Sequence, residues 1–296
     1  MSNQKIQIIT HLDLDGVVSY LVLCWLYGKK LDVIGTTPMK LEQDVDKFFA
    51  SGKQFEIDRL YFLDLDVSKI GEKIDQKSTV ILDHHKTNLY PFKNAIARIY
   101  NETSCAKLIY DTFFKDTNKQ ITAAQKTLIA LADDWDSNTK STPLSEGLNI
   151  VYHSMSNKFN SFVEDYYNGF VPFDKFKQNT ITLYKKHRQE YLEKLEPFFG
   201  NIEFEGQKDI KVGAIFCDKY VQECCDYMFQ KFNVDVAIAV LLEQKRIAVR
   251  RHANNNSVDV SKFVQRIANG GGHEAAAGGN LTEEFIEFTK MLKPLA

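Results

Sequence analysis

Short apolar runs that end in acidic or histidine clusters recur along the first half of the chain. Ile6 to Thr10 gives way to His11-Leu12-Asp13-Leu14-Asp15-Gly16. Leu60 to Leu63 runs into Asp64-Leu65-Asp66, and Thr79 to Leu82 ends in Asp83-His84-His85. With Leu31 to Gly35, these read as four buried strands separated by helices or loops, the pattern of βαβ units around a parallel sheet. Val17 to Tyr27 reads as a buried helix stopped by Gly28, and Leu41 to Ala50 as an amphipathic one. Asn101 to Ser104 offers caps for a helix from Cys105 to Phe114. A further helix, Thr122 to Ala132, runs into Asp133-Asp134-Trp135-Asp136. Pro143 to Pro172 has no clean period. Phe173 to Leu195 is a charged helical stretch that reads as a connector.

Beyond Asn201 the pattern restarts. Val212 to Cys217 is a strand, Val221 to Phe232 a helix, and Val236 to Leu242 pairs with Arg246 to Arg251 as a hairpin. Val258 to Ile267 is helical and leads into Gly270-Gly271-Gly272-His273, and Glu283 to Leu292 closes the chain as a helix. The fold class is α/β: a parallel-sheet N-terminal domain with helices on both faces (1–190), a linker helix, and a smaller α/β domain (201–296).

Composition adds limits. The 296 residues are 44% apolar and 26% charged, with a net charge of −2, as expected of a soluble globular chain. Such a balance disfavours duplex DNA, whose binding rests on many basic contacts. The longest apolar stretch is too short to span a bilayer. The five cysteines form no CxxC pairs and fit reduced, buried thiols. The expectation is a cytoplasmic protein with no membrane partner.

The clusters carry the chemistry. His11, Asp13 and Asp15 alternate, so on extended backbone they share a face. Gly16 lets the chain turn into the following helix. An Asp in such a turn is equally an N-cap. Adjacent His84 and His85 would point apart on extended backbone, so one suits a metal and the other a substrate. Asp133, Asp134 and Asp136 near a helix C-terminus oppose the helix dipole, a conflict that a cation relieves. A carboxylate-rich N/O ligand set suits Mn²⁺ or Mg²⁺ better than structural zinc. Ligands suffice for two ions, the usual device for hydrolysing phosphoesters.

The ordered set His11-x-Asp13-x-Asp15-Gly16, Asp64, Asp83-His84-His85 and Ala132-Asp133 resembles the four motifs of the DHH superfamily of phosphoesterases. Gly270-Gly271-Gly272-His273-x-Ala275-Ala276-Ala277-Gly278 is similar to the signature of its accessory DHHA1 domain. The first motif looks like that of the RecJ and nanoRNase branch. The resemblance implies that His11, Asp13 and Asp64 hold one Mn²⁺, and that Asp15, Asp64, His84 and Asp133 hold the other, with Asp64 bridging. Asp83 would orient a histidine, and His85 would face the scissile phosphate. Asp134 and Asp136 compete with Asp133 for the last position, and Asp66 stands where relatives often carry a small residue. In the accessory domain, Arg250, Gly271, Gly272 and His273 would bind the substrate phosphate. On a strand, Arg251 would point elsewhere.

The expected activity is Mn²⁺-dependent hydrolysis of short single-stranded oligonucleotides or small nucleotides by two-metal-activated hydroxide attack, with Mg²⁺ as a substitute ion. A RecJ-type exonuclease would call for an added oligonucleotide-binding domain and a basic groove with stacking aromatics, so short substrates are favoured. The alternatives are a 3′-phosphoadenosine 5′-phosphate phosphatase, a linear or cyclic dinucleotide phosphodiesterase, and a nucleotide-binding sensor without catalysis. A homodimer is compatible with the sequence.

Overall fold

The computed structural model describes residues 4–101, 103–115, 119–255, 257–272 and 274–283. The chain divides into two compact units, Met1–Thr182 and Leu183–Ala296. The first is built in order from β1 (Ile6–His11), α1 (Leu14–Tyr27), β2 (Asp32–Thr36), α2 (Leu41–Ala50), β3 (Arg59–Leu63), α3 (Gly71–Ile74), β4 (Thr79–Asp83) and β5 (Ile96–Ile99). Then follow α4 (Cys105–Phe113), α5 (Ala123–Asp136), α6 (Pro143–Ser154) and α7 (Lys158–Tyr166). The unit boundary falls within α8 (Lys175–Glu193).

The five strands of the first unit are all parallel, in the order β2-β1-β3-β4-β5. Successive residues serve opposite faces, as strand geometry requires. Ile8, Tyr61, Leu63, Val80 and Leu82 pack on one side with residues of α1, α4 and α5. Ile9, Leu60, Phe62 and Ile81 pack on the other with Leu41, Val45 and Phe48 of α2. Burial on both faces explains why these strands read as continuous apolar runs. The order reverses direction between β1 and β3, the switch point at which open sheets of this type form a crevice beyond the strand ends. His11 ends β1 there, and Asp64 follows β3.

Helix ends follow the expected chemistry. Gly28 caps α1 in the left-handed region, and Thr122 with Gln125 forms a reciprocal capping box at α5. Four elements of this unit are not legible in the sequence: the one-turn α3, β5, whose residues are largely exposed, and helices α6 and α7. Pro143 sits in the first turn of α6, behind Thr142 as cap.

The second unit contains β6 (Phe198–Phe204), β7 (Gln207–Phe216), α9 (Val221–Phe232), β8 (Val236–Leu241), β9 (Arg246–Arg251), α10 (Val260–Ile267), β10 (Asn269–Gly272) and β11 (Ala276–Asn280). Its sheet runs β10-β11-β9-β8-β7-β6, with only β7 and β8 parallel. The β8–β9 hairpin is as expected. The glycine run forms β10, paired antiparallel with β11. The closing helix expected at Glu283–Leu292 lies outside the described residues beyond Glu283. All five cysteines are free and buried. Among the described residues no helix is long and apolar enough to cross a membrane.

Candidate metal centre

The crevice at the C-terminal ends of β1, β3 and β4 gathers most of the acidic and histidine residues singled out in the sequence. Asp13 caps α1, its Oδ1 accepting from the Gly16 N–H at 2.9 Å. Its Oδ2 stands 2.7 Å from His11 Nδ1. The cap residue is therefore also a member of the crevice cluster. A Cβ on Gly16 would lie 2.2 Å from the His11 carbonyl oxygen, so only glycine permits this tight strand-to-helix passage.

Asp64 occupies the centre. It is 2% exposed and adopts φ +55°, a left-handed conformation tolerated by Asp better than by most residues. Backbone strain of this kind concentrates at functional sites. Its Oδ1 lies 3.1 Å from His84 Nε2, and its Oδ2 lies 3.5 Å from His11 Nδ1. Asp15 lies deeper, its two oxygens accepting from the N–H groups of Cys105 and Ala106 at 2.7 and 2.9 Å. The carboxylate thus meets the positive end of α4. Asp15 Oδ2 also approaches His84 Nε2 at 3.9 Å.

The fourth cluster sorts itself along α5. Asp136 Oδ2 stands 3.4 Å from His84 Nε2. Asp133 Oδ1 instead accepts from the Ser104 N–H at 2.8 Å, holding the start of α4. Asp134 accepts from Ser141, Thr142 and Ser145 and so pins the turn after α5. Burial works against ionisation of Asp134, but the Ser141 and Ser145 hydroxyls and the backbone donors outweigh it and take the carboxyl down to about 2. The structure therefore brings Asp136, not Asp133, to His84. Asp66 accepts from the Ser68 N–H at 2.9 Å in a local turn, outside the cluster.

Asp83 is fully buried. One oxygen is 2.7 Å from His85 Nδ1, and the other accepts from Asn88 Nδ2 at 2.8 Å. Asn88, itself buried, also donates to the Leu65 carbonyl. Nothing in the sequence around Asn88 signals this role. His84 and His85 do not diverge as extended backbone would require, because β4 ends at Asp83. Their rings lie 4.8 Å apart, and both come within ligand reach of Asp64.

The electrostatics are those of a crowded anionic site. Burial and the neighbouring Asp64 and Asp136 charges push the Asp15 carboxyl well above its usual range. Burial and Asp13 do the same to Asp64. Asp136 is raised by burial, against the pull of His84. Burial lowers His11, yet Asp13 and Asp64 overcome it and lift the imidazole to about 10. His85 is likewise raised by Asp83 against burial. Without a cation, these carboxylates cannot all ionise together.

Three overlapping groups place potential ligand atoms within 4.8 Å of one another: His11, Asp13 and Asp64; Asp15, His84 and Asp136; and Asp64, His84 and His85. The buried Asp64 Oδ2 and Asp136 Oδ2 make no hydrogen bond within the protein. A buried carboxylate oxygen left without a partner is costly, and a divalent ion supplies one. The residues present fit a hard, oxygen-preferring cation.

In the second unit, Arg250 of β9 is in register with Ala276 of β11, and Gly271 and Gly272 of β10 face Gly278 and Ala277. Gly272 adopts φ +150° and a Cβ there would lie 2.6 Å from the Ala276 carbonyl oxygen, whereas Gly271 opens onto free space. Arg251 turns away and donates to the Val258 carbonyl. His273 lies outside the described residues.

Residues 211–295 match the family model described as the DHHA1 domain. No curated protein matches the chain at a significant level. Solved structures do. A pGpG-specific phosphodiesterase, PggH from Vibrio cholerae, superposes with a TM-score of 0.59 at 13% identity, covering 97% of this chain and 96% of that one. The DHH domain of a protein assigned to a family of ribosomal proteins gives 0.66 at 13% identity, over 98% and 87%. Manganese-bound exonuclease RecJ gives 0.57 at 12% identity, over 97% and 88%. These likenesses establish the fold from end to end. The family-model match assigns residues 211–295 to the DHHA1 domain, and the likenesses show that the chain shares the fold of these solved structures.

Proposed function

We propose that the protein is a Mn²⁺-dependent phosphodiesterase acting on short oligonucleotides or small nucleotides. The observation that carries this reading is the buried, strained Asp64, whose two oxygens face His11 on one side and His84 on the other. His11, Asp13 and Asp64 would hold one ion. Asp15, Asp64, His84 and Asp136 would hold the second, with Asp136 in the position first expected of Asp133. Two such ions lower the pKa of water and neutralise charge on the phosphoryl oxygens.

The chain's own residues do the rest. Asp83, fixed by Asn88, holds the His85 imidazole in one orientation, and its charge favours the imidazolium. His85, partly exposed beside the cluster, donates to a phosphoryl oxygen as negative charge grows there. In the second unit Arg250 and the thin backbone at Gly271 and Gly272, with His273, receive a further phosphate.

Among substrates, a linear dinucleotide is favoured over a long strand. The likeness to the pGpG-specific phosphodiesterase spans nearly the full length of both chains. The test is an assay with Mn²⁺ against a labelled 5′-phosphorylated dinucleotide, a longer single strand and 3′-phosphoadenosine 5′-phosphate. The dinucleotide is expected to turn over fastest. Faster turnover of the long strand would sink the short-substrate assignment.

A further inference from the structure

Arg250 does not stand alone in the second unit. Its Nε donates to Gln222 Oε1 at 3.0 Å, and Gln222 Nε2 donates in turn to Asp226 Oδ1 at 3.0 Å. Its Nη1 donates to the carbonyls of Val249 and, at 3.4 Å, of Ala277. Ala277 is the register partner of Gly272. Among the described residues, Nη2 makes no hydrogen bond. The guanidinium is thus held through Nε and Nη1, with Nη2 left to a ligand beside the glycine strand.

The identity of the holding residue matters. A carboxylate at this place would also accept from Nε, but it would neutralise the guanidinium. A carboxamide accepts the same hydrogen bond and leaves the full positive charge in place. Gln222 and Asp226 are one helical turn apart on α9, so the carboxamide is itself oriented: Asp226 takes its N–H and leaves its oxygen for Arg250. The carboxylate stands one residue away from the arginine instead of against it.

We infer that Gln222 is a positioning residue that fixes Arg250 in a charged state, with Nη2 presented to a substrate phosphate. This rests on the proposed reading of Arg250 as a phosphate ligand, and it adds a prediction that packing alone does not make. If Gln222 only filled space, the isosteric Gln222→Glu would be milder than Gln222→Ala. Under the inference the order is reversed, because Glu keeps the hydrogen bond while cancelling the charge.

The experiment is calorimetric binding of a linear 5′-phosphorylated dinucleotide in EDTA, where no turnover occurs, with thermal unfolding to confirm that each variant folds. Gln222→Ala is expected to weaken binding about three- to tenfold through lost preorganisation. Gln222→Glu is expected to weaken it by about tenfold or more, through loss of a charge-assisted contact. In an Arg250→Ala background, Gln222→Glu is expected to change nothing further. The inference is overturned by a milder Glu than Ala variant, by an effect that persists without Arg250, or by wild-type protein that does not bind. A wild type that binds but fails to hydrolyse with Mn²⁺ would instead overturn the proposed activity and leave the role of Gln222 standing.

Discussion

The two candidate sites are built on opposite electrostatic plans. In the first unit, carboxylates crowd together in a buried crevice and outnumber the histidines, and two of their buried oxygens make no hydrogen bond among the described residues. In the second, one arginine is held by neutral partners and makes no salt bridge among the described residues, beside a strand of glycines. The first plan suits a metal and the second an anion. Each site carries the strain or crowding that its proposed ligand relieves, which is why neither looks like an ordinary satisfied core.

The sharpest way to break the comparison is at Asp64. Asp64→Asn keeps the shape but removes the charge shared by both halves of the crevice, and is expected to lower kcat/KM by roughly a thousandfold, equivalent to several kcal/mol of barrier. An effect below about tenfold would deny Asp64 its central place. Next comes the contest on α5. Asp136→Asn is expected to weaken Mn²⁺ binding and activity by about a hundredfold, while Asp133→Ala costs about 1 kcal/mol of stability through the lost Ser104 contact and spares the metal. The reverse ranking in a Mn²⁺ titration would return the ligand role to Asp133.

Asn88→Ala should act through Asp83 and His85, lowering activity about 10- to 100-fold with unchanged Mn²⁺ affinity at the His11 group. A parallel loss of metal binding would show that Asn88 supports the whole crevice instead.

A smaller effect concerns pH. In the metal-free protein, Asp15 and Asp64 titrate above 3.8, and His11 at about 10 against 6.5. All three values are raised on folding, so their stabilisation is largest at low pH and is lost as pH rises through the folded values. Asp13, held down to about 2 by His11 against burial, adds stability above 3.8 and is constant in this window. The metal-free unfolding midpoint should therefore fall between about pH 5 and pH 9, and saturating Mn²⁺ should remove most of that slope. A flat metal-free profile would contradict the crowding described for the crevice.

Much of the parallel sheet was legible because burial on both faces writes strands as unbroken apolar runs that end where the chemistry begins. Exposed β5 carries no such run. Helices α6 and α7 lie in a polar, aromatic stretch whose period is obscured, although Thr142-Pro143 is a start signal in hindsight. The crevice residues near the strand ends were readable for the same reason as the strands. Asp136 was not separable from Asp133 and Asp134, since three acids within one helical turn differ only in what packs against them. Asn88 lies in the loop just beyond Asp83, Gln222 meets Arg250 from a different element, and no local pattern encodes either hydrogen bond.

The central claim is that the crevice binds two divalent ions through Asp64. A calorimetric Mn²⁺ titration of the metal-free protein, repeated with Asp64→Asn, tests it most directly. Two ions per chain in the wild type, with both weakened in the variant, is the predicted result. Wild-type protein that binds no Mn²⁺, or an Asp64→Asn variant that binds it undiminished, would contradict the account.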